Sequence, residues 1–231
     1  MAQAAIEPPS DTDLAPELPG YKFFLLFLFL LASLIFYPYA ESSQGLFLTF
    51  RIFGNGAILL SVYAVSFRRS LVAFALVLAI PALVHHNLLP QTDHRVLYVL
   101  NAILTFAFDV FVVVAIFRRV FRKVQTNAET IFGALCVYLL VGFAFANIYE
   151  MLTVVQERAF YLDPLLNDHQ IANRFDFIYY SFANMTSLGT AGIVAISSQA
   201  RSLTIIEAIL GVLYLAVLIA RLMSAYRPGG R

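Results

Sequence analysis

The chain has 231 residues, of which 61% are hydrophobic and 13% charged. A soluble domain carries about 25% charged residues, so the composition excludes an ordinary water-soluble globule and points to an integral membrane protein. The net charge of +1 and the lack of a basic stripe with interleaved aromatics give no sign of a nucleic-acid partner. The single cysteine, Cys136, excludes an internal disulfide and reads as a thiol packed among helices.

In chain order, residues 1–20 are acidic and rich in proline (Glu7, Pro8, Pro9, Asp11, Asp13, Pro16, Glu17, Pro19), the opposite of a basic signal-peptide start. They are expected to form a disordered cytoplasmic tail. A membrane-crossing helix needs about 20 mostly apolar residues, and six segments meet this: 21–39, 46–66, 71–88, 96–117, 130–152 and 203–223. Their breaks are chemically marked by Pro38 and the polar run from Glu41 to Gly45, by Arg68 and Arg69, by the run from Pro90 to Asp93, and by Arg118, Arg119, Arg122, Lys123 and Asn127. Lys22, Arg68, Arg69, the Arg118 to Lys123 cluster, Arg227 and Arg231 fall on one side of these segments. The excess of Lys and Arg on cytoplasmic loops therefore puts both termini in the cytoplasm, with the connection 153–202 outside.

The fourth segment was weighed as a voltage sensor. Such helices carry repeated arginines within the span, whereas 96–117 holds none and contains Asp109 instead. Its basic end reads as positive-inside anchoring, with a phospholipid headgroup site as the alternative. In the second segment Arg51 and Asn55 share a face, and Glu41 or the interface is the expected partner of Arg51. His85, His86, Asp93 and His94 gather near the end of the third segment. Adjacent helical residues point about 100° apart and no HExxH pattern occurs, so the expected reading is a solvated interfacial cluster and not a metal site.

The connection 153–202 begins with a polar stretch, 155–174, expected to form an outer turret. Residues 175–185 are apolar and aromatic but too short to span, which suits a re-entrant helix. The segment that follows, Thr186-Ser-Leu-Gly-Thr-Ala-Gly192, is short, small and glycine-bearing. Non-helical backbone at membrane depth is tolerated only when buried in protein or lining a water-filled cavity. The sequon Asn184-Met-Thr186 lies in the re-entrant helix and should be unmodified.

The run from Phe177 to Ile193 resembles the pore helix and selectivity filter of the tetrameric potassium channels, whose pattern is an aromatic pair followed by Thr-Thr-Val-Gly-Tyr-Gly-Asp. Thr186 and Ser187 fall on the two threonines, Leu188 on valine, Gly189 on the first glycine, Thr190 on tyrosine, Ala191 on the second glycine and Gly192 on aspartate. Arg201 matches an arginine common after the filter, and Gly211 stands where many members place a gating glycine. The resemblance covers the last two-fifths of the chain and implies ion binding by Thr186, Ser187, Leu188, Gly189, Thr190, Ala191 and Gly192, a hinge at Gly211, and filter support from Tyr179, Tyr180 and Glu207.

Potassium selection works by rings of backbone carbonyls that replace the hydration shell. That backbone needs positive φ, which glycine adopts freely. An L-residue in the left-handed region costs about 1–2 kcal/mol, so Ala191 is expected to disfavour the family geometry, with Gly192 supplying positive φ one position later. Thr190 removes the bracing tyrosine and Gly192 removes the outer carboxylate. The triple change Thr190→Tyr, Ala191→Gly and Gly192→Asp is expected to restore the family geometry. Glu207, intramembrane and costly unless paired, is expected to meet pore-helix hydroxyls or Arg201, and Gly211 has close packing as its other reading.

The expectation is an all-α membrane protein of six transmembrane helices plus a re-entrant pore helix and filter loop, assembling as a potassium-channel-like homotetramer. Residues 1–20 form the tail, 21–123 a four-helix domain with a voltage-sensor-like layout but no gating arginines, and 124–231 the pore domain. The expected function is passive cation conduction in the plasma membrane, with potassium favoured. A weakly selective cation pore and a non-conducting pore-like subunit remain as alternatives. No nucleophile–base pairing suggests an enzyme, no cofactor beyond a permeant monovalent cation is implied, and the partners are lipid and further copies of the chain.

Overall fold

The computed structural model describes residues 21–41, 47–65, 69–88, 95–122, 127–167, 171–189 and 192–225. In order these form α1 (Lys22–Glu41), α2 (Phe47–Ala64), α3 (Arg69–Leu88), α4 (Arg95–Arg122), α5 (Ala128–Val155), β1 (Phe160–Leu162), α6 (Arg174–Met185), β2 (Ile193–Ala195) and α7 (Ser198–Ala225). The fold is mostly helical. Among the described residues its one departure from an all-α architecture is the antiparallel β1–β2 ribbon, which pairs Phe160 with Ala195, Tyr161 with Val194 and Leu162 with Ile193.

Three helices, α4, α5 and α7, are long and apolar enough to cross a membrane. At 28 residues and about 1.5 Å per residue, each exceeds the hydrocarbon thickness of about 30 Å. The expected count of six spanning helices is not met among the described residues. α1, α2 and α3 contribute only the shorter apolar stretches Lys22–Tyr37, Asn55–Ala64 and Leu71–Leu83.

Several boundaries differ from those the punctuation suggested. α1 runs through Pro38 to Glu41, and α4 runs through the arginine cluster to Arg122. Arginine is a good helix former, and cations in a last turn face the negative end of the helix dipole, so the cluster extends α4 where it was expected to end it. α5 starts from Asn127, whose side-chain oxygen accepts from the Thr130 backbone N–H at 2.9 Å and from its hydroxyl at 2.7 Å. This side chain satisfies one of the donors that a helix start leaves free.

Two apolar clusters hold the chain together. The larger joins α1 to α5 through Leu26, Val65, Ala75, Val112, Ile116 and Val137, all essentially buried. Cys136 lies in it, its thiol donating to the Phe23 carbonyl at 3.3 Å. The smaller gathers Phe145 and Tyr149 of α5, Phe177 and Tyr180 of α6, Ile193 of β2 and Ala200 of α7. α5 and α7 contribute to both, so the helix bundle and α6 share these two elements.

A candidate ion pathway

The re-entrant helix α6 is fixed at both ends by its own sequence. At its start the Asn173 side chain accepts from the Asp176 N–H at 2.9 Å, and the Asp176 carboxylate accepts from the Asn173 N–H at 2.7 Å. This reciprocal capping box begins the helix at Arg174. At its end the Ser187 N–H donates to the Asn184 carbonyl at 3.1 Å and the Leu188 N–H to the Ala183 carbonyl at 2.9 Å. That pair of bonds is a Schellman closure, and it places Ser187 in the left-handed region at φ 56°. Glycine is usual at such a position, and serine there carries a conformational cost of about 1–2 kcal/mol.

The closure turns the chain out of the helix. Thr186, Ser187, Leu188 and Gly189 are exposed in the single subunit, Leu188 at 75%. Gly189 has φ 86° and Gly192 φ 91°, so positive φ does occur at the glycine one position after Ala191. Thr190 and Ala191 lie outside the described residues. Gly192 is held from the turret side. Its carbonyl accepts from the Asp163 N–H at 2.8 Å and from Asn167 Nδ2 at 2.9 Å. A Cβ at Gly192 would stand 2.8 Å from Asn167 Nδ2 and 3.1 Å from Leu166 Cβ. An aspartate at Gly192 thus meets a left-handed backbone and the Asn167 side chain, which must shift to admit it.

Behind α6 sits an aromatic and polar cluster. Tyr180 is buried, packs edge-on to Tyr149 at 5.1 Å and Phe160 at 5.3 Å, and shares a 2.8 Å hydrogen bond with the Thr204 hydroxyl of α7. Tyr179 points elsewhere and is 39% exposed. Glu207 of α7 is fully buried. It accepts from the Tyr149 hydroxyl and from the Ser181 hydroxyl, both at 2.5 Å. Ser181 also lies 2.7 Å from the Gly142 carbonyl of α5. The Asn184 amide neighbours the same carboxylate, but among the described residues its Nδ2 has no partner at hydrogen-bond distance. Arg201 does not join Glu207; its Nε donates to the Ala195 carbonyl at 3.2 Å. Gly211 lies directly against α6, where an added Cβ would stand 2.7 Å from the Met185 carbonyl oxygen and 2.9 Å from its Cα. Close approach of two backbones accounts for glycine at this position.

A second polar group, not anticipated from the sequence, ties α4 to the start of α6. Tyr98 of α4 donates to Glu150 of α5 at 2.8 Å, and Glu150 pairs with Arg174 of α6 at 3.3 Å. Arg174 donates to the Asn147 side-chain oxygen at 2.7 Å, and Asn147 Nδ2 donates to Asp109 of α4 at 2.6 Å. One amide thus serves both ionic neighbours, accepting from the cation and donating to the carboxylate. Asp109, which the arginine-free fourth segment left without an obvious partner, finds it in Asn147. The side chains of Glu41, Arg51, His85 and His86, and all of Asp93 and His94, lie outside the described residues, as does the tail 1–20.

Residues 133–227, less than half of the chain, match a family model described as "Ion channel". The matched stretch holds most of α5, the turret, the β1–β2 ribbon, α6 and α7. With the three apolar helices, this match supports an ion-channel protein of the membrane. No curated protein and no solved structure matches the chain.

Proposed function

We propose that the chain is the subunit of a passive cation channel in which four copies surround an axis lined by 186–191, with potassium the favoured ion. The observation that carries this reading is the exposed, non-helical segment 186–189, presented by a re-entrant helix that is itself buried and braced. Exposed backbone in a membrane must face water or protein, and a ring of such segments around an axis meets that need. One subunit cannot close the ring, so the mechanism requires rotational symmetry. α7 supports the assembly, since Ile205, Ile209, Val212, Leu213, Val217 and Ile219 are each at least half exposed in the single chain. Thr186, Ser187, Leu188, Gly189, Thr190 and Ala191 would supply the ion ligands, with Tyr180 and Glu207 behind them as support. In this reading the protein lies in the plasma membrane with both termini in the cytoplasm and the turret outside, an orientation that the Lys and Arg distribution supports.

One observation favours a weakly selective pore over a strictly selective one. The Gly192 carbonyl is occupied by two turret donors. Fewer carbonyls are then free to replace the hydration shell, and selection depends on their number and field strength. Purified protein in liposomes, with potassium or sodium gradients and a fluorescent flux readout, tests both readings. Cation flux with a modest potassium preference supports the proposal, while absence of any flux from protein that native mass spectrometry finds tetrameric would leave the non-conducting subunit. A monomer as the sole species would remove the pore altogether.

A further inference from the structure

Among the described residues, Asn167 is the one turret side chain bonded to the carbonyl of Gly192, at the far end of the loop. Its Nδ2 donates to that carbonyl at 2.9 Å and to the Asp163 carbonyl, also at 2.9 Å. The Asp163 N–H reaches the same Gly192 oxygen at 2.8 Å. A carbonyl oxygen has two lone pairs, and at Gly192 both have protein donors. The donors are themselves fixed. The Asp163 carboxylate accepts from the Leu165 N–H at 2.9 Å, and the Asp163 carbonyl accepts from the N–H groups of Leu166 and Asn167, each at 3.1 Å. The β1–β2 register then continues past Leu162 and Ile193 to this bond. A compact turn thus closes on the loop end, and Gly192 leaves it no room for a side chain.

We propose that Asn167 is a positioning residue for ion discrimination. With the Asp163 N–H it holds the Gly192 carbonyl back into the turret, and so limits how many carbonyls the loop can offer to a permeating ion. This rests on the conduction reading above. Selection by carbonyls depends on their number and field strength. An amide that withdraws one carbonyl in every subunit therefore acts on selectivity without touching the ion. The residue does more than complete a turn: within the turn the Leu166 and Asn167 N–H groups already bind the Asp163 carbonyl, and the Asn167 amide adds a second, side-chain donor to the Gly192 carbonyl beside the Asp163 N–H.

The test is the potassium-to-sodium permeability ratio from reversal potentials in planar bilayers. The set is the unaltered chain, Asn167→Asp, Asn167→Ala and Asn167→Gln, with tetramer content checked by native mass spectrometry. Asn167→Asp keeps the shape but sets carboxylate oxygens against two carbonyls, and Asn167→Ala removes the donor without adding charge. Both are expected to change the ratio at least threefold. Asn167→Gln, which keeps an amide donor, is expected to stay within twofold of the unaltered chain. If Asn167→Asp does not assemble, the comparison rests on Asn167→Ala; if neither assembles, the clasp serves folding and the proposal is overturned. Unchanged ratios in assembled, conducting Asp and Ala variants overturn it as well. An unaltered chain that carries no current removes the conduction reading itself, a different result from a conducting chain indifferent to Asn167.

Discussion

At the scale of single residues, two glycines carry distinct physical demands, and each makes a prediction. Gly211 meets backbone, not side chain, so a methyl group there cannot be absorbed by a rotamer change. Overpacking of this kind costs about 1–3 kcal/mol. A hinge at the same position predicts the opposite sign, because alanine favours a helix over glycine by about 1 kcal/mol. Gly211→Ala should therefore lower the melting temperature of the assembled protein, and a higher melting temperature would return the position to the hinge reading. Gly192→Asp should also destabilise, by the left-handed cost of about 1–2 kcal/mol with the encounter with Asn167 added to it. Gly192→Ala, which shares the backbone and the clash but lacks the charge, should fall with it. If the alanine variant melts like the unaltered protein while the aspartate variant does not, charge and not backbone governs the site. The glycine pattern was legible in the sequence because positive φ and close approach are properties of one residue type. That Ser187 also takes the left-handed region was not, since its cost is met by the two hydrogen bonds that end α6.

At the scale of elements, the sequence disclosed what has a period or a length and concealed what depends on distant partners. The extent of α6 was legible to within one residue from its aromatic run, while the capping box of Asn173 and Asp176 that fixes its start lay unread in the polar stretch before it. The β1–β2 ribbon has three residues per strand, too few for alternation to register, and its pairing spans the whole of α6. Tyr149 and Asn147 sit within an apolar helix and give no signal of their own. Their roles follow from α7 and α4 arriving beside them. The chain of contacts from Tyr98 through Glu150, Arg174 and Asn147 to Asp109 has a measurable consequence. Asn147→Leu removes one donor and one acceptor, each facing an ionic group. Hydrogen bonds to charged groups contribute about 1.5–3 kcal/mol, and these side chains are only partly buried, which puts the loss at the lower end. With two such bonds lost, Asn147→Leu should lower stability by about 3 kcal/mol in a denaturation series, on the same basis. In a double-mutant cycle with Asp109→Leu the two losses should be less than additive, as for residues in direct contact. Full additivity would mean that α4 and α5 are not coupled through this pair.

At the scale of the whole molecule, the charges sort to the ends. Lys22 lies over the Tyr63 ring, Arg221 over the Phe121 ring, and Arg119 and Arg122 occupy the last turn of α4. The start of α1, the ends of α2, α4 and α7 and the start of α5 therefore share one end of the bundle, as Gly133 of α5 pressing against Val120 and Phe23 also requires. This arrangement suits the excess of basic residues found on a cytoplasmic face. Between Arg95 and Arg118, α4 carries a single ionic side chain, Asp109, and that carboxylate is bound to Asn147. Moving one charge through the membrane is worth about 2.3 kcal/mol per 100 mV, so steep voltage dependence requires several charges free to move through the field. α4 offers none, and its bonds to Glu150 and Asn147 of α5, which in turn hold Arg174 of α6, tie it to the segment it would have to move against. Open probability should vary little between −100 and +100 mV, with an effective gating charge below about one elementary charge per subunit. Single-channel recording in planar bilayers measures this directly. A steep activation curve that survives Asp109→Asn would show that the field acts on groups outside α4, and one abolished by that change would make Asp109 the moving charge and contradict the fixed role its hydrogen bond assigns to it.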